Sequence, residues 1–141
     1  MIIISHRGNT QGPDTSLENS PDYIKCAKNI GFDVEIDVWC MNNFLYLGHD
    51  TPVHSISESF LHQEGLWCHA KNYEALEYMK LNSIKNYFWH ETDKYTITSA
   101  GYIWCFPGYA QKNGILVHKE KYSQNMQVLG ICTDYPLSWR I

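Results

Sequence analysis

"GFDVEIDVWCMNNFLYLGHD", Gly31 to Asp50, sets two acids among Phe, Val, Ile, Val and Trp. A carboxylate taken out of water is costly unless it is paired, hydrogen-bonded or bound to a metal. Glu35 and Asp37 stand two positions apart, so on a strand both project from one face, while Val34, Ile36 and Val38 project from the other. The stretch therefore reads as a strand with one apolar face and one face arranged around a cation. An exposed strand with acids on its solvent side gives the same alternation, and the rest of the chain must decide between the two.

Outward from this strand, "IIIS" (2–5) is a short continuous apolar run, the pattern of a strand covered on both faces. "NSPDYIKCAKNIG" (19–31) predicts a helix that Ser20 caps, Pro21 opens and Gly31 ends. "LWCHAK" (66–71) predicts a further strand and "NYEALEYMKLN" (72–82) a further helix. "NYFWHE" (86–91), "YIWCF" (102–106), "GILVH" (114–118) and "VLGICTD" (128–134) complete the apolar runs. Strand and helix alternate in the first half, which argues for βαβ units and a parallel sheet. In the second half the connections "TDKYTITSAG", "PGYAQKN" and "KEKYSQNMQ" leave little room for a full helix. No repeat or linker interrupts the chain, so residues 1–141 read as a single domain.

The strand "FDVEIDVW" runs past Asp37, turns at "MNN" and returns as "FLYLGHD", a β-hairpin. A two-residue turn at Asn42-Asn43 sets His49 opposite Ile36, away from the acids. A three-residue loop, Met41 to Asn43 with Asn43 left-handed, sets His49 opposite Glu35. The expectation is the odd-length loop or an equivalent bulge, either of which unites His49 with the acids.

Composition bounds the function. Hydrophobic residues are 44% and charged residues 18%, a globular balance. The formal net charge of −4 provides no basic surplus for nucleic acid. Cys26, Cys40, Cys68, Cys105 and Cys132 are odd in number and contain no C-x-x-C pair, as in reduced thiols of a cytosolic protein. "MIIISHRGN" lacks the apolar core of a signal peptide, and no run approaches the ~20 apolar residues of a membrane span. A cytoplasmic location is expected.

Chemistry-bearing residues gather near strand ends: His6-Arg7, Glu35 and Asp37, His49-Asp50, His69 and Lys71, His90-Glu91, Asp134. In a parallel barrel such positions converge on one mouth. Two histidines, paired carboxylates, an arginine and a lysine meeting there suit phosphodiester cleavage, with a cation and Arg7 holding phosphoryl oxygens while histidines exchange protons. Arg7 could instead be a structural partner of Asp134 or Glu18. His69 reads equally as a ligand or as a buried, hydrogen-bonded histidine, and Trp104 as a site wall or as core.

"SHRGN" with "LENS", then "FDVEIDVW", "YLGHD", "HAKN" and "GICTDYP" together resemble the ordered motifs of the glycerophosphodiester phosphodiesterase family. That family belongs to the phospholipase-C-like phosphodiesterase superfamily. The resemblance runs from residue 5 to residue 136 and is loose between about 86 and 125. It implies a TIM barrel, which together with the hairpin and the short connections read above gives an expected α/β fold: a compact, reduced TIM-barrel-like parallel barrel with a β-hairpin at its mouth and few helices in its second half. It implies that His6 and His49 are the catalytic histidines, that Arg7 and Lys71 bind the phosphate, and that Glu35 and Asp37 hold magnesium or calcium. A third carboxylate is usual two residues before the lysine, and here that position is His69. Imidazole suits manganese, iron or zinc better than calcium. The chain of 141 residues is also far shorter than a barrel of ~250. The helix-poor side is left for a partner subunit, in a homo-oligomer, to cover. The expected function is metal-assisted cleavage of a small glycerophosphodiester or sugar-linked glycerol phosphate by histidine acid/base catalysis. The alternative is a catalytically degenerate barrel that binds a phosphorylated glycan or lipid head group.

Overall fold

A computed structural model describes residues 1–140. The chain order is β1 (Ile2–His6), α1 (Pro21–Ile30), β2 (Asp33–Met41), β3 (Phe44–Leu47), β4 (His54–Ile56), α2 (Glu58–Leu61) and β5 (Leu66–Ala70). It continues with α3 (Tyr73–Leu81), β6 (Tyr87–Phe88), β7 (Tyr95–Ile97), β8 (Ile103–Cys105), β9 (Gly114–His118), β10 (Gly130–Thr133) and α4 (Pro136–Trp139). Among the described residues no helix is long and apolar enough to cross a membrane.

The helix signals act as their chemistry dictates. Ser20 accepts a hydrogen bond from the Tyr23 N–H, Pro21 fills the first turn, and Gly31 closes α1 in a left-handed conformation at φ 101°. A side-chain N-cap of this kind stabilises a helix by about 1 kcal/mol. Asn72 caps α3 in the same way through the Ala75 N–H. It also ties α3 to β2, because its amide donates to the Cys40 carbonyl and its oxygen accepts from the Cys40 N–H.

Strand parity divides the interior in two. Val34, Ile36, Val38 and Cys40 of β2 pack with Ile24 and Ala27 of α1, Ala75 and Met79 of α3, and Cys68 of β5 in one buried cluster. The opposite face of the sheet holds a second cluster, in which Ile4, Trp67, Phe88, Trp104, Ile115 and Cys132 meet. Glu35 and Asp37 belong by parity to this second, concave face.

The sheet has ten strands, and its parallel part runs β6-β5-β2-β1-β10-β9-β8. It curls so far that Trp67 of β5 lies 5.8 Å from Trp104 of β8, and Phe88 of β6 lies 4.6 Å from the same ring. Trp104 is therefore core, 3% exposed.

The expected reduced, TIM-barrel-like parallel barrel is corrected to an open half-barrel with mixed strand directions. β3 and β4 form an antiparallel extension beyond β1, and β7 lies antiparallel on β8. The run 86–91 yields only the two-residue β6, because the chain turns away after Phe88. Two residues supply too short a ladder to recruit another parallel strand. In place of that ladder, the Ser99 N–H donates to the Tyr87 carbonyl and the Tyr87 N–H to the Ser99 hydroxyl. The expected shortage of helices is present. Residues 106–113 and 119–129 carry the chain between parallel strands with no helix. Strands β8 to β10 are at most ~17 Å long, and a few extended residues return over that length.

The hairpin expectation is also overturned. Asn42 and Asn43 are both left-handed, at φ 52° and 64°, and Met41 pairs with Phe44. This is a two-residue turn of the kind whose twist matches its strands, so the register is even.

Candidate metal and active site

The "HRGN" loop leaves β1 through two left-handed residues, Arg7 at φ 57° and Gly8 at φ 92°. A Cβ on Gly8 would lie 2.8 Å from the Tyr23 ring, so the loop needs glycine there. Asn9 is fully buried at the turn's end. Its amide donates to Glu18 at 2.9 Å and to Asp134 at 2.8 Å, and its oxygen accepts from the Asp14 N–H and the Tyr23 hydroxyl. One asparagine thus ties the end of β1 to "LENS", to α1 and to the end of β10.

The "LENS" stretch does a second job. Asn19 is left-handed at φ 62° and 1% exposed. Its amide donates to Asp37 Oδ2 at 2.9 Å and its oxygen accepts the Asp37 N–H at 2.9 Å. Asp37 is thereby gripped through both side chain and backbone, and its other oxygen, Oδ1, is left facing the concavity.

Parallel pairing completes the cluster. Glu35 is opposite His6 across β1–β2, and Asp37 is opposite His69 across β2–β5. His69 Nδ1 stands 3.3 Å from Asp37 Oδ1 and 3.7 Å from Glu35 Oε1. His6 Nε2 is 3.8 Å from Glu35 Oε2. Both imidazoles are anchored at the far nitrogen. His69 Nε2–H donates to the His90 carbonyl at 2.8 Å, and His6 Nδ1–H donates to Asp134 at 2.8 Å. Each therefore turns its other nitrogen toward Glu35.

Burial and charge explain what the cluster lacks. Glu35 and Asp37 side chains are 3% and 1% exposed, yet Glu35 Oε2 and Asp37 Oδ1 have no hydrogen-bond partner. Arg7 Nε lies 3.1 Å from Asp37 Oδ2 as an ion pair without hydrogen-bond alignment, and Arg7 Nη1 donates to Glu18 at 3.3 Å. Glu18, Glu35, Asp37 and Asp134 surround a single permanent cation, so the pocket carries surplus negative charge. Burial lowers the His69 pKa, but Asp37 and Glu35 outweigh it and lift it to about 9. Burial likewise lowers His6, and the bond from Asp134 and the charge of Glu35 leave it above its ordinary 6.5. Burial raises Asp37, yet His69 and Arg7 hold it well below the usual carboxylate range. The group Glu35, Asp37 and His69 offers donor atoms within 4.8 Å of one another, an arrangement that could hold a metal ion. Ligands about 2.1 Å from a common ion sit about 3.0–3.4 Å apart, close to the His69–Asp37 separation.

Among the described residues, neither His49 nor Lys71 makes a side-chain hydrogen bond or ion pair with this cluster. β3 ends at Leu47, the Gly48 N–H donates to the Asp37 carbonyl, and the Trp39 indole donates to the Gly48 carbonyl at 2.7 Å. The even ladder would carry His49 to Ile36, but the chain leaves it at Gly48. His49 then borders a cleft of about 290 Å³ with Arg7, Ser16, Glu18, Asn19 and Thr51. Its Nδ1 meets Asp50 at 2.8 Å, and its side chain is 43% exposed. Lys71 follows β5 and bonds Val38 through its backbone N–H. Among the described residues, no side-chain hydrogen bond or ion pair engages its ammonium group. His90 is buried and supplies the carbonyl that anchors His69.

Sequence reasoning did not single out Asn9 and Asn19, and it placed Asp134 among the strand-end residues and as a structural partner of Arg7, not as the partner of His6. Their signal was their place in "SHRGN", "LENS" and "GICTDYP", motifs read for their charged members. No family model matches the chain, and neither a curated protein nor a solved structure does.

Proposed function

We propose that the protein is a metal-assisted phosphodiesterase acting on a small polar phosphodiester with a hydroxyl near phosphorus, such as a glycerophosphodiester or a sugar-linked glycerol phosphate. One observation carries this reading: buried, unpartnered carboxylate oxygens of Glu35 and Asp37 converge with His69, while Arg7 and His6 border the same concavity. Glu35, Asp37 and His69 hold the ion. A bound divalent ion supplies Lewis acidity to a phosphoryl oxygen and acidifies a nearby hydroxyl.

The chain's own groups do the rest. Arg7 has five N–H donors, and its contacts to Asp37 and Glu18 leave others for a phosphate in the cleft that it shares with His49. Lys71, two positions beyond His69, adds a positive charge. The substrate hydroxyl forms a new O–P bond as the bond from phosphorus to the leaving oxygen breaks. One of His6 and His49 receives the hydroxyl proton, and the other delivers a proton to the leaving oxygen. Asp134 keeps His6 in the tautomer that presents Nε2 to the concavity.

The exposed position of His49, with only Asp50 as partner, favours a second reading, a module that binds a phosphorylated head group without turnover. Incubation with glycerol p-nitrophenyl phosphate, a diester that keeps a free hydroxyl beside phosphorus, and a panel of divalent ions separates the two. Turnover that His6→Ala and Glu35→Ala each abolish supports the enzyme. Tight phosphate binding with no turnover under any ion supports the module.

A further inference from the structure

The residue opposite Asp37 in the β2–β5 ladder is a nitrogen donor, and its surroundings fix it as one. His69 is held at one nitrogen by a backbone carbonyl and turns the other to two buried acids. Its Nε2–H is held by the His90 carbonyl at 2.8 Å, and its ring stacks on Phe88 at 5.1 Å with planes 7° apart. Nδ1 is thus aimed between Glu35 Oε1 and Asp37 Oδ1. The carboxylate oxygens Glu35 Oε2 and Asp37 Oδ1 are buried with no hydrogen-bond partner. Backbone anchoring of the far nitrogen is how proteins orient a metal-bound imidazole.

From this geometry, and resting on the metal-binding part of the function proposed above, we propose that His69 makes the pocket selective for a first-row transition ion of the manganese, iron or zinc class over magnesium and calcium. Magnesium and calcium take oxygen ligands, magnesium in near-ideal octahedra and calcium with six to eight oxygens. Imidazole suits zinc and iron. A pocket of two carboxylates and one imidazole sacrifices an oxygen that the hard ions use and offers a nitrogen that the borderline ions prefer. Phe88 and the His90 carbonyl keep His69 from swinging aside to admit water in its place.

Zinc exceeds magnesium at most nitrogen and oxygen sites, so the bare preference decides nothing, and the test is how the preference responds to one residue. Metal-stripped protein is titrated with Zn²⁺, Mn²⁺, Mg²⁺ and Ca²⁺ by calorimetry, alongside His69→Glu and His69→Gln. The expected result is that His69→Glu lowers the ratio of zinc to magnesium affinity at least tenfold while still binding the hard ions. His69→Gln is expected to lose zinc affinity by roughly 10–100-fold, the loss usual for disturbing a ligand's environment or more. An unchanged ratio in His69→Glu overturns the proposal.

A second measurement on the unaltered protein needs no variant to fold. With ¹⁵N-labelled histidine, one equivalent of Zn²⁺ is expected to move the Nδ1 resonance of His69 and leave its Nε2 protonated. Zinc that perturbs only exposed histidines, such as His49, overturns the proposal as well. Both experiments read binding alone. Zinc on His69 with no phosphodiester turnover leaves this inference standing and removes the enzymatic one.

Discussion

Asp37 and His69 face each other across two parallel strands, with Nδ1 3.3 Å from Oδ1. A carboxylate and an imidazole so placed hold a shared positive charge, carried by a proton when no ion is bound. The burial that makes each group costly alone makes the pair cooperative. The surrounding fold is arranged around keeping the two in register: Asn19 holds Asp37 from one side, and the His90 carbonyl holds His69 from the other.

The pair links stability to pH. The folded pKa of His69, about 9, lies above the ordinary 6.5. Its contribution to stability is therefore fully present below about pH 6.5 and fades as pH rises through about 9. The full effect is on the order of 2–3 kcal/mol, discounted for coupling to both acids. Urea denaturation of metal-free protein between pH 6 and pH 10 should show the loss on the alkaline side. His69→Gln should flatten that limb, and an unchanged slope would exclude His69 as its source.

Asn19 is the test of how Asp37 is held. Asn19→Ala removes two hydrogen bonds, one of them to a charged oxygen, and leaves the Asp37 N–H and Oδ2 short of partners in a buried place. It also puts alanine where φ is 62°. Bonds to charged groups are worth about 1.5–3 kcal/mol, and left-handed strain adds about 1. The expected loss is about 3 kcal/mol, read as a lower urea midpoint at unchanged slope, with weaker metal binding in whatever folded fraction remains. A loss under about 0.5 kcal/mol would mean that β2 and β5 hold Asp37 unaided.

Asp134→Asn should uncouple His6. Asp134 accepts from His6 Nδ1 at 2.8 Å and contributes to the raised pKa of that imidazole. With the charge gone, the His6 pKa falls, while the amide oxygen can still accept from Nδ1 in place of the carboxylate. The measurements are the His6 titration by NMR and the pH profile of phosphodiester turnover. Both should move to lower pH together. Movement of the NMR titration with an unmoved rate profile would remove His6 from the chemistry.

What the sequence disclosed, and what it hid, follows the range of the interactions involved. Ser20, Pro21 and Gly31 declared α1 because caps act within one turn. Glu35 and Asp37 declared their shared face because parity on a strand is local. His69 could be placed beside them once β5 was taken as parallel to β2. The hairpin register misled for a specific reason: the odd loop was chosen to bring His49 onto the Glu35 face, on the premise that the ladder reaches residue 49. The ladder ends at Leu47, and both asparagines take the left-handed conformation that an even turn needs. The roles of Asn9 and Asn19 depend on partners far along the chain, such as Asp134, so the motifs that contain them do not disclose what each asparagine holds. Closure of the barrel was equally hidden, because it turns on whether β6 can extend past Phe88, which tertiary packing decides.

Gly48 is where the hairpin and the cleft meet, and it carries the last test. A Cβ there would lie 1.9 Å from the Thr51 carbonyl oxygen, a distance no contact tolerates, so the backbone of 48–51 must move in Gly48→Ala. That segment presents His49 to the cleft lined by Arg7. The Glu35, Asp37 and His69 side chains lie on β2 and β5, and the moving segment reaches them only through the Gly48 N–H bond to the Asp37 backbone carbonyl, not through a ligand atom. The variant should therefore lose about 1–3 kcal/mol of stability and most of its turnover, while zinc affinity changes less than about threefold, a shift of ~0.6 kcal/mol. Retained turnover would show that His49 has no part in proton transfer and would leave that role to His6 alone.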